Sequence, residues 1–118
     1  MELSEEDVRN LENNGGPNYL SAWRLAKGLS QKDLAQLLHT TVPQLWFLEK
    51  GVRKITAKWL RRISAAIGVA PGIILDCSPQ DPQHELIAYW SQATEIQREQ
   101  ILAYCRQVLA SDQNSLAI

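Results

Sequence analysis

Apolar residues recur at three- and four-residue spacing along most of the chain, and short polar breaks separate the stretches that carry this pattern. Such spacing is typical of amphipathic α-helices that turn one face toward a core. The clearest example is residues 31–51, where two patterns are separated by His39-Thr40-Thr41 and closed by Gly51. The chain is therefore predicted to be all-α, with two short helices joined by a tight turn near its centre.

Five helices are predicted between residues 17 and 76. The residues expected to face the core are Leu20 and Trp23, then Leu34, Leu37 and Leu38, then Leu45 and Leu48, then Leu60, Ile63 and Ile67. Ser30, Thr41 and Thr56 each precede a helix pattern and are expected to be N-caps, because their hydroxyls can accept a hydrogen bond from a first-turn N–H. His39 is expected to take the left-handed conformation of a turn residue, with no chemical role.

Two segments flank this region. Residues 1–16 are predicted to form an acidic arm that is flexible or weakly docked and contains a short helix over 4–13. Residues 82–112 are predicted to form an antiparallel pair of helices, which span roughly 83–92 and 95–111. Its predicted inward face consists of Leu86, Ile87, Trp90, Ile101, Leu102, Cys105, Val108 and Leu109. All of these except Ile87 form the predicted dimerisation surface. Because one pair of helices cannot bury such a face by itself, we expect it to pack on the main domain or on a second chain.

Composition narrows the class of protein. A hydrophobic fraction of 45% is enough for a packed core. No apolar run approaches the ~20 residues that cross a bilayer, so no membrane contact is expected. Cys77 and Cys105 lie far apart without metal-ligand spacing and are expected to be reduced thiols in the cytoplasm. No metal or other cofactor is expected.

The net charge of −1 conceals an uneven distribution along the chain. Residues 19–75 carry nine basic and two acidic residues, a net charge of +7, whereas residues 1–18 and 76–118 each carry −4. A basic segment between acidic flanks favours a polyanionic partner for the middle of the chain. The alternative is a basic surface that is merely solvated.

Residues 20–75 also resemble a known family, the lambda-repressor-like helix-turn-helix proteins of the Cro and phage-repressor (XRE) group. The matching pieces are residues 24–31 (RLAKGLSQ), 33–35 (DLA), 48–53 (LEKGVR) and 65–69 (AAIGV), together with Leu45. The resemblance covers about half of the chain. It implies a five-helix DNA-binding domain, to which the short N-terminal helical arm and the C-terminal helical pair are added.

The resemblance also implies roles for particular residues. Gln31 matches a position that contacts a phosphate, residues 41–47 match the helix that enters the major groove, and Arg53 and Lys54 match a loop that touches the DNA backbone. Arg24 and Glu49 match a structural ion pair between the first and third helices. The predicted DNA-binding residues are Gln31, Lys32, Thr41, Val42, Gln44, Phe47, Lys50, Arg53 and Lys54.

The outward face of the predicted groove helix departs from the family pattern, which carries polar residues there. Gln44 can make a bidentate contact to adenine, and Val42 and Phe47 can pack on thymine methyl groups. An exposed Trp46-Phe47 pair would instead be typical of a protein contact, unless one of the two, Trp46 or Phe47, turns into the core.

Two hypotheses for function follow. The first is a sequence-specific DNA-binding transcriptional regulator, a homodimeric repressor that binds double-stranded DNA. The alternative is a protein-interaction module on a helix-turn-helix scaffold, with its partner at Trp46 and Phe47. An enzyme is not expected, because His39 and His84 have no nucleophile or carboxylate at a catalytic spacing.

Overall fold

A computed structural model describes residues 2–14 and 16–116, excluding the side chains of 112–116. These residues form eight α-helices and no strand, so the all-α prediction is confirmed. The helices are α1 (Glu5–Asn13), α2 (Leu20–Ala26), α3 (Gln31–Leu37), α4 (Val42–Glu49), α5 (Ala57–Ile67), α6 (Pro71–Asp76), α7 (Gln83–Gln92) and α8 (Glu95–Leu116). They fall into two compact units, divided between Pro82 and Gln83.

The core of the first unit lies among α2 to α6. In it α3 packs on α4, while α6 packs on both α2 and α5. Its largest fully buried side chains are Leu20, Leu34, Leu38, Leu45, Leu48, Ile63, Ile74 and Cys77. Trp23 is also buried, and its indole Nε1 donates to the Cys77 carbonyl at 2.7 Å. The indole N–H of this core tryptophan therefore has a partner.

The predicted N-caps are confirmed at all three positions. Ser30 Oγ accepts the Asp33 N–H at 3.0 Å, and Asp33 Oδ2 accepts the Ser30 N–H at 3.0 Å, which completes a capping box. Thr41 and Thr56 cap α4 and α5 with single hydrogen bonds of 3.3 Å. These side chains supply acceptors for N–H groups that have no partner inside the helix.

The turn between α3 and α4 has the predicted left-handed residue. His39 has φ +54°, its N–H donates to the Gln36 carbonyl at 3.1 Å, and the Thr40 N–H donates to the Ala35 carbonyl at 2.9 Å. This pair of hydrogen bonds is a Schellman motif with histidine at the position that glycine usually takes. The tight turn of the helix-turn-helix is therefore built from local backbone hydrogen bonds.

Leu37 differs from its prediction. It was expected to face the core but is 52% exposed, whereas Leu38 is buried. Leu38 follows Leu34 by four residues and continues its row on the helix face, so Leu38 fills the core position and Leu37 lies at the edge of the apolar stripe.

The end of the arm is fixed to the segment that follows α4. The Asn14 side-chain amide donates to the Val52 carbonyl at 2.9 Å, and Leu11 Cδ1 lies 2.6 Å from the position that a Cβ on Gly51 would take. Gly51 has φ +75°, so this position needs glycine for its backbone conformation and for the close approach of the arm.

The second unit contains α7 and α8. Thr94 caps α8 with a capping box to Gln97, and Arg98 Nε donates to the Trp90 carbonyl at 3.0 Å while its guanidinium lies 5.3 Å from the Trp90 ring centroid. An open groove of about 760 Å³ runs between the two helices. No helix in the described part of the chain is both long and apolar enough to cross a membrane.

Candidate nucleic-acid interface

Helix α4 has the fixed frame that a recognition helix needs. Leu45 and Leu48 are fully buried, and Pro43 stands in the first turn, where its missing N–H breaks no hydrogen bond. Val42 and Pro43 are exposed, and Gln44 is half-buried. The N-terminal half of α4 therefore presents two apolar side chains and one amide.

Trp46 does not belong to an exposed aromatic pair. It is 9% exposed, and it lines a small pocket together with Arg24 of α2 and Gln31 of α3. Its ring meets the half-buried Phe47 ring edge-on, with centroids 5.1 Å apart, and the Lys50 ammonium lies 5.8 Å from its centroid. Of the Trp46-Phe47 pair considered from the sequence, only Phe47 is therefore partly accessible. Trp46 is buried, but it lies outside the main hydrophobic cluster of the first unit.

A buried polar network joins α2, α3 and α4. Arg24 Nε contacts Glu49 Oε1 at 2.5 Å, and Gln31 Nε2 donates to Glu49 Oε2 at 2.8 Å. Arg24 also donates to the Leu29 carbonyl at 2.9 Å. Both carboxylate oxygens therefore have donors, which offsets the cost of burying the charge.

This network limits what Gln31 can do. One of its two amide N–H groups is used by Glu49. A phosphate contact by Gln31 would use its remaining side-chain N–H or the first-turn backbone N–H of α3. The link between Gln31 and Glu49 was not predicted, because residues 18 positions apart meet through the packing of α3 on α4.

The segment after α4 is held in a second Schellman motif. The Gly51 N–H donates to the Leu48 carbonyl at 3.1 Å, and the Val52 N–H donates to the Phe47 carbonyl at 3.1 Å. Val52 is buried, whereas Arg53 and Lys54 are exposed. The Arg53 guanidinium carbon lies 5.1 Å from the Phe47 ring centroid. Two basic side chains are therefore presented at the C-terminal end of α4 by a segment with a fixed backbone.

The remaining predicted DNA-binding residues differ in exposure. Lys32 and Lys50 are exposed, and the Thr41 hydroxyl is used as the cap of α4. The pKa of Asp33 is lowered by the hydrogen bond from the Ser30 backbone N–H and then by the bond from the Ser30 side chain, with a smaller effect of the Lys32 charge. The start of α3 thus holds a carboxylate that stabilises its own helix terminus.

Arg62 has a role that sequence reasoning missed. Its guanidinium donates to the Leu38 carbonyl at the end of α3 and lies 4.6 Å from the Trp59 ring centroid. The three-residue spacing of Trp59 and Arg62 on α5 was a signal for the ring contact. The contact of Arg62 with the Leu38 carbonyl could not be predicted from neighbouring residues, because Leu38 lies 24 positions away on the chain. Arg62 thereby ties α5 to the turn of the helix-turn-helix.

The described residues contain no group of three or more His, Cys, Asp or Glu side chains that could hold a metal ion. Around α3 and α4, the exposed basic residues are Lys32, Lys50, Arg53 and Lys54, and Gln31 and Gln44 are half-buried amides. Such groups bind phosphates and base edges.

A family model described as helix-turn-helix matches residues 20–74. No curated protein and no solved structure matches the chain. The matched residues run from the start of α2 to Ile74 in α6 and include the capped helices, the His39 turn and the buried Arg24–Glu49 pair. Residues 20–74 belong to the lambda-repressor-like (XRE) helix-turn-helix family of DNA-binding regulators.

Proposed function

We propose that this protein is a sequence-specific DNA-binding transcriptional regulator that acts as a homodimeric repressor. The observation that carries the proposal is the exposed pair Arg53 and Lys54 at the end of α4, within a helix-turn-helix domain. In this proposal α4 enters the major groove, and Gln44 hydrogen-bonds a base edge while Val42 packs on a thymine methyl group. Arg53, Lys54, Lys50 and Lys32 would contact phosphates.

The first test is binding of the full-length chain to DNA. Sequences selected from a random duplex library would be measured by fluorescence anisotropy at several salt concentrations. We expect binding that weakens with salt, because phosphate contacts release counterions. Binding that is absent at tens of micromolar, or that does not respond to salt, would exclude the proposal.

Two variants separate phosphate contacts from base contacts. Arg53→Ala should weaken binding to all duplexes and lower the salt slope by about 1. Gln44→Ala should relax the preference at one base pair by about 1–3 kcal/mol and leave the salt slope unchanged. Lys27→Ala is the matched control, since Lys27 is exposed in the same domain but lies outside the predicted interface.

The homodimer would form through the helical pair of α7 and α8. Leu86 and Leu109 of the predicted dimerisation surface are more than 60% exposed in the single chain, and a second copy could cover them. Two copies of α4 related by a twofold axis would meet half-sites about 34 Å apart, or one helical turn of DNA. The selected sequences would then show two inverted half-sites at that spacing.

Repression requires nothing beyond occupancy of a promoter, so this proposal assigns no cofactor and no catalytic activity. The protein would act in the cytoplasm, where its DNA target would be found and where its cysteine thiols are expected to be reduced. A reporter gene with the selected site placed across its promoter tests the sign of regulation. Expression that rises when the protein is present would contradict a repressor.

A protein-interaction module remains the second candidate function, and it depends on Phe47, which is half-buried. A partner captured by the wild-type protein, and lost on Phe47→Ala with DNA affinity unchanged, would favour this candidate. The burial of Trp46 removes half of the apolar surface on which it was based.

A further inference from the structure

Phe47 contacts the segment after α4 in two ways. Its carbonyl oxygen accepts the N–H of Val52 at 3.1 Å and the N–H of Arg53 at 3.2 Å. Its ring centroid lies 5.1 Å from the Arg53 guanidinium carbon. Backbone and side chain of one residue therefore fix the position of Arg53.

A cation–π contact suits a residue that must still bind a phosphate. A guanidinium that stacks on a ring does so through its face, while its N–H donors point outward in its own plane. An exposed arginine otherwise samples many rotamers and loses that freedom when it binds. A ring that restrains the side chain beforehand lowers this entropic cost and leaves the donors available.

We propose that Phe47 is a positioning residue for the protein–DNA contact, and that it acts through Arg53 instead of contacting a base. This inference rests on the proposed function, since Arg53 is taken to bind a DNA phosphate. It differs from the thymine contact considered from the sequence, because a positioning residue affects affinity for every duplex and a base contact affects one base pair.

A double-mutant cycle on the full-length chain tests the coupling. Anisotropy would be measured for the wild type, Phe47→Leu, Arg53→Ala and the double variant, on a selected duplex and on an unrelated duplex. Phe47→Leu keeps an apolar side chain and both backbone hydrogen bonds while it removes the ring. We expect it to weaken binding by about 2- to 5-fold on both duplexes, the size of an exposed cation–π contact.

The combined variants carry the decisive comparison. In the Arg53→Ala background, Phe47→Leu should cause no further loss, because the residue through which it acts is gone. In a Lys54→Ala background, the 2- to 5-fold effect of Phe47→Leu should persist. The Lys54 side chain has no ring contact to Phe47 among the described interactions, so its removal leaves the Phe47–Arg53 contact in place. Phe47→Tyr should restore wild-type affinity.

An NMR measurement without DNA reports the contact between the Phe47 ring and the Arg53 side chain. The ring current of Phe47 should shift the Arg53 side-chain proton resonances, and the shift should disappear in Phe47→Leu and persist in Phe47→Tyr. Equal helical circular dichroism in all variants would show that they are folded.

The outcomes separate the two proposals. If the wild type binds DNA but the losses of Phe47→Leu and Arg53→Ala multiply, or if Phe47→Leu changes preference at one base pair alone, the positioning role is wrong and the proposed function stands. If the wild type does not bind DNA, the proposed function fails and the positioning role fails with it, even where the ring-current shift is present.

Discussion

The helix-turn-helix unit and the C-terminal helical pair are both built from amphipathic helices, yet they differ in burial. Leu34, Leu45 and Leu48 are fully buried in the first unit. In the pair, none of the described side chains is buried, and Leu86 is 66% exposed. Helical periodicity identifies an apolar face in both regions, but it does not determine what covers that face.

The largest effect on stability should come from a substitution in the buried core of the first unit. Leu34→Ala removes a fully buried side chain of α3 and should lower the free energy of unfolding by about 2–5 kcal/mol, because it leaves a cavity. Urea unfolding followed by circular dichroism measures this loss.

The same helix provides the matched control. Leu37→Ala should change the free energy of unfolding by about 0.5 kcal/mol or less, since Leu37 is exposed. Equal losses in Leu34→Ala and Leu37→Ala would mean that the burial described for α3 is wrong.

The exposed apolar face of the C-terminal helical pair is tested by measuring self-association. Leu86→Glu puts a charge on the predicted dimerisation surface and should weaken the dimer by about 10-fold or more while the unfolding of the first unit stays unchanged. Ile96→Glu is the control, since Ile96 is equally exposed on α8 but outside the predicted surface. Sedimentation equilibrium would contradict the prediction if the wild type were monomeric or if both variants behaved alike.

A smaller effect is expected at the turn between α3 and α4. His39→Gly should raise the free energy of unfolding by about 0.5–1 kcal/mol, because glycine adopts φ +54° without the steric cost that a side chain brings. His39→Ala keeps that cost and should bring no gain, so it separates backbone freedom from loss of the imidazole. Thermal unfolding of the three proteins measures the difference, and a gain in His39→Ala would assign the effect to the imidazole.

The smallest effect concerns the start of α3. The folded-state pKa of Asp33 is lowered by the hydrogen bonds from Ser30, so the carboxylate contributes stability above its unfolded pKa of about 4, and this contribution disappears as the pH falls through the lower folded pKa. Urea midpoints of wild type and Asp33→Asn should therefore differ at pH 6 and converge in strong acid. A difference that is the same at both pH values would contradict this assignment.

Much of the fold was predictable from local rules. Ser30, Thr41 and Thr56 were expected to be caps and His39 a left-handed turn residue, and each of these features occurs in the structure. These features depend on residues within four or five positions, which makes them accessible to reasoning from a single sequence. The family was also predicted, from the resemblance of residues 24–31, 33–35, 48–53 and 65–69 to helix-turn-helix proteins, and the match over residues 20–74 confirms it.

The candidate site was less predictable. Arg24 and Glu49 were paired through the family resemblance, but the bond between Gln31 and Glu49 and the contact of Arg62 with the end of α3 were not expected. Each joins residues on different helices, and the distance between them depends on how those helices cross.

The sequence by itself determined where most helices begin and end and which residues cap them, and its resemblance to a known family indicated the helix-turn-helix domain. The tertiary structure alone decided that Trp46 is buried while Leu37 is exposed, that Asn14 fixes the arm to Val52, and that Phe47 lies against Arg53. The physical reason is that caps and turns are closed by neighbours along the chain, whereas burial of a side chain is set by whichever distant helix packs over it.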